Sequence, residues 1–380
     1  MPRTISFHKT RRDYGNPVEI PKEHPRFEPP PLSNNSNLNL PLDVVSLEAS
    51  THANEVKQLV FHAVGDTGGI NDGGVTQTAI AEEMEAQIIN SPDSEKAQFF
   101  YNLGDVVYWN GISYHYPEQF YEPYKHYPAP IFAIAGNHDG DTHVHKGNEA
   151  DPEPSLTGFM KNFCDSQPRY LDSYRPTMTQ PYVYWTLDAP FATIIGLYSN
   201  VDGLLDGLRS FQQQSWFEDQ MKNAPKDKCL IVAVHHPPYS LDTSHGGYSD
   251  IGNAIDRAGD IAGRYPNAVL SGHVHCYQRF TRTIHHQKIA YIVAGAGGYA
   301  HSFKAIHKLQ KDPVTKMEPS KPFKHLTIPH LELDNYNDAM PGFLRITVDA
   351  TTLKGEYFVV PFDDAPPNDP FDTFSIQWKN

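Results

Sequence analysis

The chain has 380 residues with 31 basic and 45 acidic side chains, which gives a formal net charge of −14. This balance argues against a nucleic-acid partner, because a nucleic-acid-binding surface needs concentrated positive charge. Hydrophobic residues make up 39% of the chain and aromatic residues 12%, which is enough to fill a globular core. No apolar run reaches the roughly 18 residues that cross a bilayer, so no membrane span is expected, and three cysteines are too few for a disulfide framework.

The first residues are basic but lack the apolar segment of a signal peptide. A cytoplasmic location is therefore expected, with secretion as the alternative if a signal has been trimmed. Residues 1–50 are rich in proline and asparagine and are predicted to form an extended arm on a body that spans 51–362. Residues 363–380 are assigned to a C-terminal tail. Nothing in the sequence predicts an oligomeric state.

Five short apolar runs are each followed by a polar residue, and four of them reach it through glycine. Continuous apolar runs of this length are typical of buried strands. Each run ends in Asp, Asn or His, and glycine beside those residues permits a tight turn. The five stretches are QLVFHAVGDTGG (58–69), QFFYNLGDVVYWNG (98–111), APIFAIAGNHDG (129–140), CLIVAVHHPPYS (229–240) and VLSGHVHCYQR (269–279).

Helices are predicted between several of these strands. The segment 75–91 has apolar residues at helical spacing and no proline, so the first two runs and this helix form a strand-helix-strand unit with parallel strands. Segments 209–224 and 250–265 also fit helices. Because ligands of open α/β sheets bind beyond the carboxyl ends of the strands, the five polar ends are expected to meet at one rim.

Carboxylates and imidazoles gathered at one rim favour a bound cation, and the donors are numerous enough for two metal ions. Individually the signals are weak. The chain has 20 histidines, so a single His-x-His pair is more often a surface turn, and Asp66 or Asp105 alone could serve as a turn residue. His62 is better explained by packing within its strand, His236 by a structural or solvent-facing position, and His143 and His145 by a solvated loop.

Taken in order, the motifs GDTGG, GDVVY, GNHD, VAVH and GHVH resemble those of the metallophosphoesterases, and specifically of the purple acid phosphatases. The resemblance covers about residues 58–299. The general pattern of the superfamily begins with Asp-x-His, whereas here Gly68 stands two residues after Asp66, and Tyr108 replaces that histidine. The resemblance implies that one metal is bound by Asp66, Tyr108 and His275, that the other is bound by Asn137, His235 and His273, and that Asp105 bridges the two.

The resemblance also implies the chemistry. The metals would be Fe(III) with a divalent iron, zinc or manganese ion, and a metal-bound hydroxide would attack a small phosphorylated substrate, a phosphate monoester. His138 would donate a proton to the leaving group, and His245 resembles a further histidine on the substrate side. Two alternatives stay open: a phosphodiesterase acting on cyclic nucleotides or phospholipid head groups, and a non-catalytic metal-binding scaffold.

The fold implied by the resemblance is α/β, with two mixed β-sheets packed face to face and flanked by helices. The segment 182–199 would supply further strands, and 343–360 is predicted as a hairpin that closes the second sheet. Residues 301–340 form a long insertion predicted to be irregular, and insertions of this length are usually functional or mobile.

Overall fold

The computed structural model describes residues 30–31, 33, 35–42, 57–141, 153–171, 175–201, 205, 212–300, 306–312, 314–324, 328–361 and 369–379. Most of the predicted arm, together with His143 and His145, lies outside these residues. The boundaries proposed for the arm, the body and the tail stay predictions.

The described residues form two sheets and several helices. The strands are β1 Asn39–Pro41, β2 Leu59–Val64, β3 Phe99–Asn102, β4 Ile131–Ala133, β5 Trp185–Ala189, β6 Ala192–Leu197, β7 Cys229–Val234, β8 Ala268–Ser271, β9 Tyr277–Ile284, β10 Gln287–Ala294, β11 Phe323–Lys324, β12 Leu331–Asn337, β13 Gly342–Val348, β14 Thr352–Val359 and β15 Asp372–Gln377. The α-helices are α1 Val75–Asn90, α2 Asn137–Gly140, α3 Thr157–Phe163, α4 Gln212–Asn223 and α5 Ser249–Ala262, and short helical turns lie at Asp93–Glu95, Ser113–His115 and Pro117–Tyr121.

Both sheets are mixed. The six-stranded sheet has the order β15-β14-β13-β2-β3-β4, in which β2, β3 and β4 are parallel and β13 is antiparallel to β2. The nine-stranded sheet has the order β1-β5-β6-β7-β8-β10-β9-β12-β11, with β6, β7, β8 and β10 parallel. The strand-helix-strand unit β2-α1-β3 is parallel, as predicted.

Alternation along the strands places the core between the sheets. On β2, Phe61 packs with Trp185 and Ile231 of the other sheet, whereas its neighbour Val60 packs with Ile80 of α1. Successive strand residues point to opposite faces, so a strand covered on both faces is apolar at nearly every position. The nine-stranded sheet is covered in the same way by α4 and α5. The predicted fold of two face-to-face mixed sheets flanked by helices is confirmed.

Several local predictions need correction. The five apolar runs do not belong to one open sheet, because β2, β3 and β4 lie in one sheet and β7 and β8 in the other. The insertion 301–340 is not irregular throughout, since β12 pairs antiparallel with β9. The segment assigned to a tail contains β15, which pairs with β14. The partner of β12 lies about 50 residues earlier in the chain, whereas β15 pairs with the strand that directly precedes it.

Other elements agree with the predictions. The hairpin predicted at 343–360 is β13-β14, and 182–199 contains β5 and β6. Helix α5 ends three residues before the predicted position, where Gly263 adopts a left-handed conformation. Among the helices that the structure describes, none is long and apolar enough to cross a bilayer.

His62 is buried on β2 and is expected to make the stability of the protein sensitive to acid. Its Nδ1 lies 3.0 Å from the Tyr127 hydroxyl and its Nε2 lies 3.3 Å from Oε1 of Gln87. Burial, assisted by the charge of Arg345, lowers the pKa of His62 to about 3. The unfolded chain therefore takes up a proton at this residue near pH 6.5, whereas the folded chain does not, and the free energy of unfolding falls as the pH drops.

We expect His62 to account for about 1 kcal/mol of the stability lost between about pH 7 and pH 5.5. Denaturant unfolding of metal-free protein at both pH values would measure this loss, which should be smaller by that amount in a His62→Gln variant. The matched control is His126→Gln, at an exposed position. An identical pH dependence in wild type and His62→Gln would contradict the prediction.

Candidate metal centre

The predicted site residues follow the ends of parallel strands from both sheets. Asp66 follows β2 and Asp105 follows β3, whereas His235 and His273 follow β7 and β8 of the facing sheet. Asp66, Asp105 and His273 have positive φ angles of 58°, 53° and 67°. Non-glycine residues adopt this conformation at an energetic cost, and such strain concentrates at functional sites.

Gly104 shows why these turns require glycine. Its φ angle is 95°, and a Cβ atom there would lie 2.6 Å from Nδ1 of His235 and 2.8 Å from the backbone nitrogen of Gly136. No other residue type fits this space without displacing the loop that carries Asp105. The glycine before the aspartate therefore allows the two sheets to approach closely at the site.

Three of the predicted site residues surround the hydroxyl of a fourth, Tyr108. Its oxygen lies 3.1 Å from Oδ1 of Asp66, 3.1 Å from Oδ2 of Asp105 and 3.5 Å from Nε2 of His275. Nε2 of His275 in turn lies 3.3 Å from Oδ1 of Asp66. We call Asp66, Tyr108 and His275 the tyrosine group, and Asp105 lies at its border.

The other predicted site residues surround the Asn137 side chain. Its Oδ1 lies 3.1 Å from Nε2 of His235 and 3.0 Å from Nδ1 of His273. We call Asn137, His235 and His273 the amide group. Nε2 of His235 is 3.4 Å from Oδ2 of Asp105, so the Asp105 carboxylate lies at the border of the amide group as well. The structure thus brings all seven residues together in the two sets that the resemblance implies, while their role as metal ligands stays a prediction.

Neighbouring groups orient the imidazoles and carboxylates. Nδ1 of His235 lies 2.8 Å from the Leu103 carbonyl oxygen, and Nε2 of His273 lies 2.8 Å from the Tyr248 hydroxyl. An imidazole whose far nitrogen is held in this way presents the other nitrogen in one direction, as metal-binding histidines do. The carboxylates of Asp66 and Asp105 each accept a backbone N–H with one oxygen, from His273 at 2.7 Å and from His138 at 2.8 Å.

The electrostatics of the site fit bound cations. Burial raises the pKa of Asp66 to about 7, and burial together with Asp105 raises the pKa of Tyr108 well above its usual value. Burial disfavours the charged form of His235, but the Asp105 carboxylate raises its pKa to about 9. Two buried carboxylates and a phenol this close resist carrying their charges together, and cations held between them would relieve that repulsion.

The two predicted substrate-side histidines line a cavity of about 630 Å³ next to these groups. Nδ1 of His138 lies 2.6 Å from the Trp109 carbonyl oxygen, and its ring packs 4.4 Å from that of Tyr108. The ring of His245 stands perpendicular to that of His273, with their centroids 4.5 Å apart. Both histidines therefore reach the cavity without joining either group, which agrees geometrically with roles toward the substrate.

Sequence reasoning missed three residues that support the site. The buried Asp139 carboxylate accepts the backbone N–H of Val106 at 3.0 Å and of Gly136 at 2.8 Å, which holds the Asp105 loop. Asp139 was visible as the acid of the GNHD motif, although no role was assigned to it. Tyr248, which precedes α5, and His307, in the insertion, belong to no motif, so no local signal identified them.

His62 and His236 are buried and form hydrogen bonds with residues outside the two donor groups. His62 lies away from the site under α1, and Nδ1 of His236 lies 2.7 Å from Oγ of Ser199. Neither residue belongs to the tyrosine group or the amide group.

Comparison with known proteins identifies relatives by sequence and solved structures of similar fold. The chain is 25% identical over 174 residues to a probable glycerophosphodiester phosphodiesterase, GpdQ, of Arcobacter nitrofigilis, a match that covers 45% of this chain and 54% of that protein. The alignment therefore spans about half the length of this relative.

Solved structures of similar fold include the purple acid phosphatase PPD1 from yellow lupin (Lupinus luteus) seeds, with a TM-score of 0.60 and 15% identity over 85% of this chain and 54% of that chain. They also include GAP50, the anchor in the inner membrane complex of Plasmodium, with a TM-score of 0.58 and 14% identity over 85% of this chain and 90% of that chain. At these identities the likeness concerns the fold.

Residues 59–277 match the family model for calcineurin-like phosphoesterases. The matched region is more than half of the chain, and it contains Asp105 and all six residues of the tyrosine and amide groups as well as His138 and His245. The resemblance inferred from the five motifs is confirmed at this level, and the chain belongs to the calcineurin-like phosphoesterase family.

Proposed function

We propose that this protein is a dinuclear metal-dependent hydrolase of phosphate monoesters that resembles the purple acid phosphatases. The observation that carries the proposal is the arrangement of two donor groups, one with a phenol and one with an amide, on either side of the Asp105 carboxylate. A single metal would need only one of these groups.

The donor sets suggest different ions. Asp66, Tyr108 and His275 would hold Fe(III), because a phenolate is a strong ligand for that ion, and Asn137, His235 and His273 would hold divalent iron, zinc or manganese. Such a pair, when bound, supplies Lewis-acid polarisation of the phosphoryl oxygens and lowers the pKa of water.

His138 would protonate the leaving group. Its Nδ1 is close enough to the Trp109 carbonyl oxygen to donate a hydrogen bond, so Nδ1 keeps its hydrogen and Nε2 is the atom left to give a proton to the leaving oxygen. The backbone N–H of the same residue donates to Asp105, which ties the proton donor to the carboxylate shared by both groups.

Two imidazoles beside the site favour a monoester. His138 and His245 line the cavity. His138 can donate to the leaving oxygen, and His245 can donate a hydrogen bond to the additional unshared oxygen that a monoester carries and a diester lacks. The sequence relative, a probable glycerophosphodiester phosphodiesterase, favours the alternative of a phosphodiesterase. The likeness to GAP50, described as an anchor, keeps the non-catalytic scaffold as a third candidate.

We expect an aryl phosphate monoester to be hydrolysed at least about tenfold faster, in kcat/KM, than the matching bis-aryl diester, which corresponds to about 1.4 kcal/mol in the transition state. Both substrates should be measured at pH 5 to 7 with iron and a divalent metal supplied, together with a glycerophosphodiester. Faster hydrolysis of either diester would establish the phosphodiesterase alternative. If the metal-loaded protein hydrolysed none of them, the scaffold would be favoured.

A further inference from the structure

A short part of the insertion returns to the metal centre. The Thr243 N–H donates to the Lys308 carbonyl at 2.8 Å, the Gln310 N–H donates to the Leu241 carbonyl at 2.9 Å, and Asp242 and Leu309 form an antiparallel bridge. We call residues 306–310 the strap. These bonds fasten the strap along the loop that leads to His245.

His307 of the strap makes a reciprocal pair of hydrogen bonds with His275. The His307 N–H donates to the His275 carbonyl at 3.0 Å, and the His275 N–H donates to Nδ1 of His307, also at 3.0 Å. The two rings stack with their centroids 4.3 Å apart and their planes at 19°. The His307 ring also stacks on His245, at 4.4 Å and 24°.

These contacts place one ring between a candidate metal ligand and a candidate substrate-side residue. We propose that His307 is a positioning residue, which fixes His275 for the ion in the tyrosine group and His245 at the wall of the cavity. This inference rests on the proposed dinuclear function. Residues that orient metal ligands typically contribute about 10- to 100-fold to metal affinity.

An alternative role for His307 is that of a ligand in a separate cation site, formed with Asp242 and His245. The Asp242 carboxylate is, however, already engaged. Its Oδ1 accepts the Ser240 hydroxyl at 2.8 Å and the Gly246 N–H at 2.6 Å, and its Oδ2 accepts the Ser244 and His245 N–H groups, each at 2.8 Å. Nδ1 of His307 also accepts a hydrogen bond. The Asp242 carboxylate and this nitrogen therefore serve as acceptors for backbone and side-chain donors of the surrounding turn.

Three variants test the proposal through metal release, which requires no substrate. We expect His307→Ala to raise the equilibrium dissociation constant of one ion by about 10- to 100-fold, measured by competition with a coloured chelator. His307→Asn should recover most of the affinity, because its side-chain oxygen can accept the His275 N–H. Lys311→Ala, at an exposed position just beyond the strap, should match wild type.

Thermal unfolding of the metal-free proteins separates an effect on the ion from an effect on folding, and His307→Asn serves if the alanine variant is unstable. Unchanged metal affinity in His307→Ala with only a raised KM would overturn the proposal and make His307 a substrate contact. A third ion in wild type that is absent from His307→Ala would overturn it in favour of the cation site. A wild type that binds two ions but hydrolyses no monoester would refute the proposed function. The metal affinities of the His307 variants would then still decide whether His307 is a positioning residue.

Discussion

Replacing His138 by alanine is expected to lower the rate of phosphoester hydrolysis by about 10²- to 10⁴-fold while leaving both metal ions in place. The side chain reaches the cavity, and it belongs to neither the tyrosine group nor the amide group. The hydrogen bond from residue 138 to Asp105 comes from the backbone, so an alanine there keeps it. Steady-state kinetics and metal analysis of the same preparation would test both parts.

The dependence on the leaving group sharpens this test. A proton donor matters most when the departing oxygen is a poor leaving group, so the loss should be larger for an alkyl phosphate than for an activated aryl phosphate. His273→Ala is the matched comparison, because His273 contacts the Asn137 side chain and should lose a metal ion. If both variants lost metal equally, the division between proton donor and ligand would be wrong.

The Asp105→Asn variant is expected to weaken the binding of both ions by more than about 100-fold, beyond the range typical of residues that only orient ligands. The Asp105 carboxylate borders both donor groups, at 3.1 Å from the Tyr108 hydroxyl and 3.4 Å from Nε2 of His235. Asparagine keeps the size of the side chain but removes the negative charge that two cations would share. Metal content after dialysis should fall from about two ions per chain to less than one.

The Tyr108→Phe variant should be compared with Asp105→Asn, because it changes only the tyrosine group. It should remove the visible charge-transfer band expected of a phenolate bound to Fe(III), while the amide group keeps its ion because none of its members is changed. Circular dichroism would show that the variants are folded. A colourless and fully active wild type containing only zinc or manganese would refute the iron assignment without affecting the prediction of two ions.

The sequence by itself determined the five strands that lead to the site and the turn residues that follow them. Burial on both faces makes a strand such as β2 apolar except at His62, and Asp66 and Asp105, which follow the ends of β2 and β3, were therefore visible from local pattern. The order of the five motifs carried the resemblance to the metallophosphoesterases, and that resemblance implied the two groups of donors and the fold of two face-to-face sheets flanked by helices.

Tertiary structure alone decided how those strand ends meet and what holds them. The apolar runs carry no signal for which sheet they join, so the meeting of β2, β3 and β4 with β7 and β8 across two sheets depended on packing. Tyr248 and His307 reach the site from 25 and 32 residues away along the chain from the histidines that they contact. Hydrogen bonds and ring stacking over such separations leave no periodicity in the sequence, because the partners are brought together only when the sheets close on one another.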